Sequence, residues 1–161
     1  MQANLKHKKR IVEMSEVHLI GFRVLCEGSQ YIEEIPKAAK RLLERVSEFQ
    51  GVKDGGRQIG AFVAEAASEH EDGYWIGVET DRNNPVPEGM TSLTVRPQGY
   101  AAIHHHGPNT DIRQSYEILH RWMEAEGYER AKDCWNLEIY EHNSDPDNTE
   151  NVDVELLESI K

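Results

Sequence analysis

Apolar positions along the 161-residue chain follow two rhythms, and the changes of rhythm mark its elements. Ile11–Leu25 (IVEMSEVHLIGFRVL) is rich in β-branched residues and predicts a strand, with Gly21 marking a bulge or a close backbone approach. A turn at Cys26–Ser29 follows, with Ser29 placed to cap a helix. Ile32, Ile35, Ala39, Leu42, Leu43, Val46 and Phe49 then recur at helical spacing until Gly51 closes the run. Gln58–Ala66 and Tyr74–Thr80 predict two more strands. Residues 82–90 carry two prolines and two asparagines and form a surface connection at the midpoint.

Past that connection the pattern returns. Thr91–Val95 and Tyr100–His106 are strand-like, broken at Pro97–Gly99. Asp111 and Gln114 have capping-box spacing ahead of a helix whose buried face holds Ile112, Tyr116, Leu119 and Met123, and Gly127 ends it. Trp135–Glu141 and Val152–Ile160 are the last strands. The order β-α-β-β, linker, β-α-β-β suggests an internal duplication. Strands this numerous with two helices predict an α+β fold: a curved antiparallel sheet, both helices on one side, and a central ligand cleft on the face they leave open. Residues 1–10 are expected to be a flexible lead, followed by one domain over 11–161, with halves 11–81 and 91–161.

Charge narrows the function. With 29 Asp and Glu against 18 Lys and Arg, the net charge is -11, a field that repels nucleic-acid phosphates and anionic membranes and attracts cations. The run Lys6, Lys8, Lys9 and Arg10 is a solvated terminus rather than a binding arm. No apolar run is long enough to span a membrane and no secretory signal opens the chain. About ten residues precede the first strand, too few for a DNA-binding module. Cys26 and Cys134 make neither a disulfide framework nor a zinc site, so a cytoplasmic protein with free thiols is expected. No phosphate loop or nucleophile motif is present, so no cofactor is expected.

The chemistry concentrates in Trp135–Glu141. Strand alternation puts Trp135, Leu137 and Ile139 on one face, expected to meet the helices, and Asn136, Glu138 and Tyr140 on the other, expected to line the cleft. A carboxylate among aromatics is costly to desolvate unless it meets a cation or hydrogen-bond donors. The plain alternative is an exposed edge-strand glutamate. Tyr74, Trp75 and Tyr100 could each deliver a ring near Glu138, and the pattern does not decide between Tyr74 and Trp75. In the run His104, His105 and His106 only the first and third share a strand face, and no acid or cysteine stands at ligand spacing, so no metal site is expected; His104 as a cleft proton carrier is the better reading. Cys134 has no evident activating base and is read as a bystander.

These residues resemble the GyrI-like small-molecule-binding domain, which also serves as the effector-binding half of AraC-type and MerR-type multidrug regulators. The resemblance rests on Tyr100–Pro108 (YAAIHHHGP), a helix with Tyr116 and Trp122, Gly127-Tyr128, Glu138–Tyr140 before a turn, and the Val17–Gly21 and Tyr74–Val78 strands. It spans nearly the whole chain. It implies a duplicated β-α-β-β fold with a cleft for amphipathic, often cationic, compounds. It places the family's key glutamate on Glu138 and aromatic partners on Trp75, Tyr100, Trp135 and Tyr140. His104 departs from the small polar residue frequent there. Three functions follow as expectations: a stand-alone binding protein for hydrophobic or cationic molecules, with a possible protein partner; a metal-independent hydrolase opening electrophilic cyclopropane rings, with Glu138 as base and Tyr140 or Tyr100 polarising a carbonyl; or an acidic inhibitor of a DNA-handling enzyme such as gyrase.

Overall fold

β-Branched and aromatic residues at alternate positions give each strand two usable faces, and the central strands of this chain bury both. The computed structural model describes residues 8–161. Its strands are β1 (Lys9–Met14), β2 (Val17–Val24), β3 (Gln58–Val63), β4 (Tyr74–Glu79), β5 (Thr91–Val95), β6 (Gln98–Gly107), β7 (Trp135–Tyr140) and β8 (Val152–Ser159). The helices are α1 (Tyr31–Glu44) and α2 (Ile112–Glu126). All eight strands form one antiparallel sheet in the order β1-β6-β8-β7-β3-β4-β2-β5.

That order reads the same from either end when β1–β4 are exchanged for β5–β8, as an internal duplication requires. It also corrects the expected unit. Ile11–Leu25 is two strands, separated at Ser15 and Glu16, and β1 leaves its own half to pair with β6. β5 does the reverse and pairs with β2, so each half lends its first strand to the other. Lys9 and Arg10, expected in a loose lead, are paired with Ile103 and Ala102; Lys6 lies outside the described residues.

Three apolar clusters hold the sheet. α1 lays Ala38, Ala39 and Leu42 on Phe22, Val24, Tyr74, Ile76 and Val78. α2 lays Leu119 and Met123 on Ala101, Ile103, Val154 and Leu156 of the same face. The opposite face carries no helix. It gathers Val12 and Met14 of β1, Leu93 and Val95 of β5, and Trp75, Tyr100, Leu137 and Leu157 between them, so the sheet curls and both edges join one core. Gly21 makes the predicted close approach: a Cβ there would lie 2.0 Å from the Ile76 carbonyl oxygen.

The helix ends differ from expectation in instructive ways. α1 stops at Glu44 and continues as a 3-10 turn over Val46–Glu48 rather than running to Gly51. Its start is built by Glu27 and Gln30, which form a capping box around a 3-10 turn, and not by Ser29. Asp111 stands at the α2 N-terminus without a side-chain cap, whereas Gly127 closes α2 in the left-handed conformation (φ 83°) as expected. Pro36 sits inside α1 and cannot donate to the Ile32 carbonyl. Asn109, just before α2, supplies the missing donor across the gap, with Nδ2 3.3 Å from that oxygen.

Candidate functional site

β7 is a central strand between β3 and β8, so neither of its faces is an edge. Alternation puts Asn136, Glu138 and Tyr140 on one face, as expected, but the helices cover that same face. Trp135, Leu137 and Ile139 point instead into the helix-free core. The inversion moves the candidate site into the gap between α1 and α2. Glu138 is only 7% exposed there, which excludes the exposed edge reading.

Hydroxyls of three strand and helix tyrosines converge on this carboxylate. Tyr74 of β4 donates to Glu138 Oε1 at 2.6 Å, and Tyr116 of α2 donates to Oε2 at 2.7 Å. Tyr140 stands 3.2 Å, hydroxyl to hydroxyl, from Tyr74. Gly60 of β3 makes the first of these contacts possible, since a Cβ on it would lie 1.8 Å from the Tyr74 hydroxyl oxygen. Phe62 stacks on Tyr74 and meets Tyr116 edge-on, with centroids 6.0 and 6.3 Å apart.

The electrostatics follow from burial. Desolvation pushes Glu138 above the usual carboxylate range, against the pull of its phenol hydrogen bonds. Desolvation, then the adjacent Glu138 charge, pushes Tyr74, Tyr116 and Tyr140 upward as well, so all three stay neutral donors at ordinary pH. Among the described residues no cation pairs with Glu138.

In front of this group lies a cavity of about 600 Å³. Its walls are apolar where α1 contributes Tyr31, Ile35, Pro36 and Ala39, and the exposed charges among its lining residues are Asp72, Asp145 and Arg113. A buried acid at the back and two acids nearer solvent against one guanidinium favour a positive guest.

A second buried carboxylate lies behind the site. Glu158 accepts from Asn136 Nδ2 at 2.9 Å and lies 2.7 Å from His120 Nε2, with Arg130 at 3.4 Å. Burial would raise it, but His120, Arg130 and Asn136 outweigh burial and hold it below the usual range. α2 thus anchors β7 twice, Tyr116 on Glu138 and His120 through Glu158 on Asn136.

The structure brings Glu138, Tyr140 and Tyr74 together and settles the open choice in favour of Tyr74. It places Trp75, Trp135 and Tyr100 across the sheet, where the two indoles meet edge-on at 5.1 Å. His104 also lies off the cavity, 2.7 Å from Asp153, with His106 3.0 Å from the same carboxylate. His105 points to α2: Nε2 donates to the Pro108 carbonyl at 3.0 Å, so Nδ1 takes the Ser115 hydroxyl at 2.8 Å, and burial lowers its pKa. Sequence reasoning missed Gly60 and the role of Tyr116. A glycine inside a strand and a tyrosine on a buried helix face, whose hydroxyl must find a partner, were the available signals.

Comparison with known proteins agrees with this architecture. The model of the GyrI-like small molecule binding domain matches residues 7–161. The chain is 28% identical over 132 residues to the transcriptional regulator BrlR of Pseudomonas aeruginosa; the match covers 82% of this chain and 47% of the regulator, so the chain spans about half of that relative's length. SAV2435, solved bound to tetraphenylphosphonium, superposes with a TM-score of 0.69 at 15% identity, covering 96% of this chain and 94% of that one. A hydrolase encoded by lin2189 of Listeria innocua superposes at 0.58 and 14% identity, covering 97% and 93%.

Proposed function

The chain belongs to the GyrI-like small molecule binding domain family, and from that premise we propose that the cavity between α1 and α2 captures amphipathic organic cations, with Glu138 as their counter-charge. One observation carries the reading: a buried carboxylate at the back of a cavity of about 600 Å³, held among the described residues only by neutral phenols. That volume suits a drug-sized guest. Desolvating an anion without a cation partner is costly, and an entering cation recovers that cost. Tyr74, Tyr116 and Phe62 offer ring faces and edges to the same guest. Such a module senses or sequesters its ligand; a regulatory output would need a partner or a further domain.

The test is a titration with tetraphenylphosphonium beside triphenylphosphine oxide, a neutral relative of similar shape. The cation should bind saturably and the neutral compound weakly. Glu138→Gln should weaken the cation by at least about 30-fold and leave the neutral compound unchanged. Equal binding of both compounds would refute the counter-charge role.

A second reading is favoured by the upward-shifted pKa of Glu138, which makes its carboxylate a stronger base, beside phenol donors. A carboxylate so placed can take a proton from water as the oxygen attacks a strained cyclopropane carbon. The ring bond breaks toward a conjugated carbonyl, whose oxygen receives a hydrogen bond from Tyr140. That oxygen takes up a proton from solvent as Glu138 releases its own, so that one whole water is added. Mass spectrometry of a cyclopropane-bearing alkylator after incubation distinguishes the two: a product heavier by one water, absent with Glu138→Gln, would make the protein a hydrolase.

A further inference from the structure

Two of the aromatics that the helix-side cavity leaves aside, Tyr100 and Trp135, line a second opening. On the helix-free face a cavity of about 390 Å³ is lined by Thr94, Arg96, Gln98, Tyr100, Cys134 and Trp135, among others. Two observations there are independent. Tyr100 is 1% exposed, yet its hydroxyl has no hydrogen-bond partner among the described residues, and the ring belongs to the cavity wall. The ring is buried while its hydroxyl opens onto the cavity, so a phenol donor stands free for an acceptor that arrives with a ligand. Cys134 is a half-buried free thiol. Arg96 Nη2 stands 3.3 Å from its sulfur, and the thiol points to Asp133 Oδ1 at 3.7 Å.

We propose that Cys134 is a covalent capture site for small α,β-unsaturated carbonyl compounds. The sulfur adds to the β-carbon and forms the new S–C bond, while its proton leaves through Asp133 to solvent. The π pair of the alkene moves onto the carbonyl oxygen, which takes the free Tyr100 hydroxyl as donor. The α-carbon then takes a proton from water, so S–H is added across C=C and no further reactant is needed. Arg96 faces the negative charge that develops on sulfur, and Trp135 flanks the adduct. The other thiol is a built-in contrast: burial, then Glu34 and Glu27, push Cys26 upward, away from the reactive thiolate.

The experiment is time-resolved peptide mapping of the intact folded protein with methyl vinyl ketone and, in parallel, iodoacetamide. Methyl vinyl ketone should label Cys134 about tenfold faster than Cys26. Tyr100→Phe, which keeps the ring, should slow the enone at Cys134 by about five- to tenfold. It should leave iodoacetamide, whose displacement sends no charge to a carbonyl oxygen, within about twofold. Arg96→Gln should slow both reagents. Cys26 reacting as fast as Cys134, Tyr100→Phe without effect on the enone, or Tyr100→Phe slowing both reagents alike would each overturn the proposal.

Discussion

Glu138 accepts hydrogen bonds from phenols and, among the described residues, meets no cation, and this one fact organises the residue scale. Its folded pKa lies above its unfolded value because burial outweighs those bonds. Between the two values the native state holds the extra proton. Any stability linked to Glu138 is therefore greatest below that window and falls as pH rises through it. Glu138→Gln should accordingly melt at a higher temperature than wild type above the window and at the same temperature below it, as differential scanning calorimetry across pH will read. A site kept for a guest costs the empty protein stability, and removing it should return some. Gly60 is the second test at this scale. Gly60→Ala drives a methyl into the Tyr74 hydroxyl. It should cost about 1–3 kcal/mol by overpacking and weaken cation binding about tenfold through the lost donor. The glutamate was legible because an acid between aromatics in a strand is rare. Gly60 was not, because its importance depends on which ring lies across from it.

At the scale of elements, what the sequence conveys is which residues share a face, and what it withholds is which face the helices cover. Trp135, Leu137 and Ile139 do separate from Asn136, Glu138 and Tyr140, but either set could have met the helices. Only the curl of the sheet, which needs an apolar face of its own to bury both edges, decides it. The split of Ile11–Leu25 was hidden for a similar reason, since β1 pairs with a strand far along the chain and no local signal announces that partner. The link between helices also depends on distant residues. Pro36 leaves the Ile32 carbonyl without its helical donor and Asn109 fills the vacancy. Asn109→Ala should destabilise by about 0.5–1 kcal/mol in wild type. It should do so less in a Pro36→Ala background, where the helix satisfies that carbonyl itself. A double-mutant cycle by urea denaturation measures the difference.

Over the whole molecule, two halves exchange their first strands and form one sheet, with the helices flanking a cavity on one face. The exchange ties the halves into one body, so a guest between α1 and α2 touches both. Among the described residues no helix is long and apolar enough to cross a membrane. The net charge of -11 adds a diffuse attraction for cations to the focused one at Glu138. The resemblance legible in the order of motifs led to the correct family because fold-level spacing survives where single positions do not. The same reading put Trp75, Tyr100 and Trp135 beside Glu138, and the structure places all three in the helix-free core, with Tyr100 and Trp135 lining another opening.

The central claim is that the cavity takes an organic cation by ion pairing with Glu138. The measurement that meets it most directly is calorimetric titration of tetraphenylphosphonium into wild type and Glu138→Gln, in buffers of different ionisation heat, from mildly acidic to neutral pH. The account predicts wild-type affinity that rises with pH, with protons released on binding inside the window where Glu138 titrates, and a variant that binds weakly at every pH with no proton release. Equal affinity in both proteins, or wild-type binding that neither changes with pH nor releases protons, would contradict it.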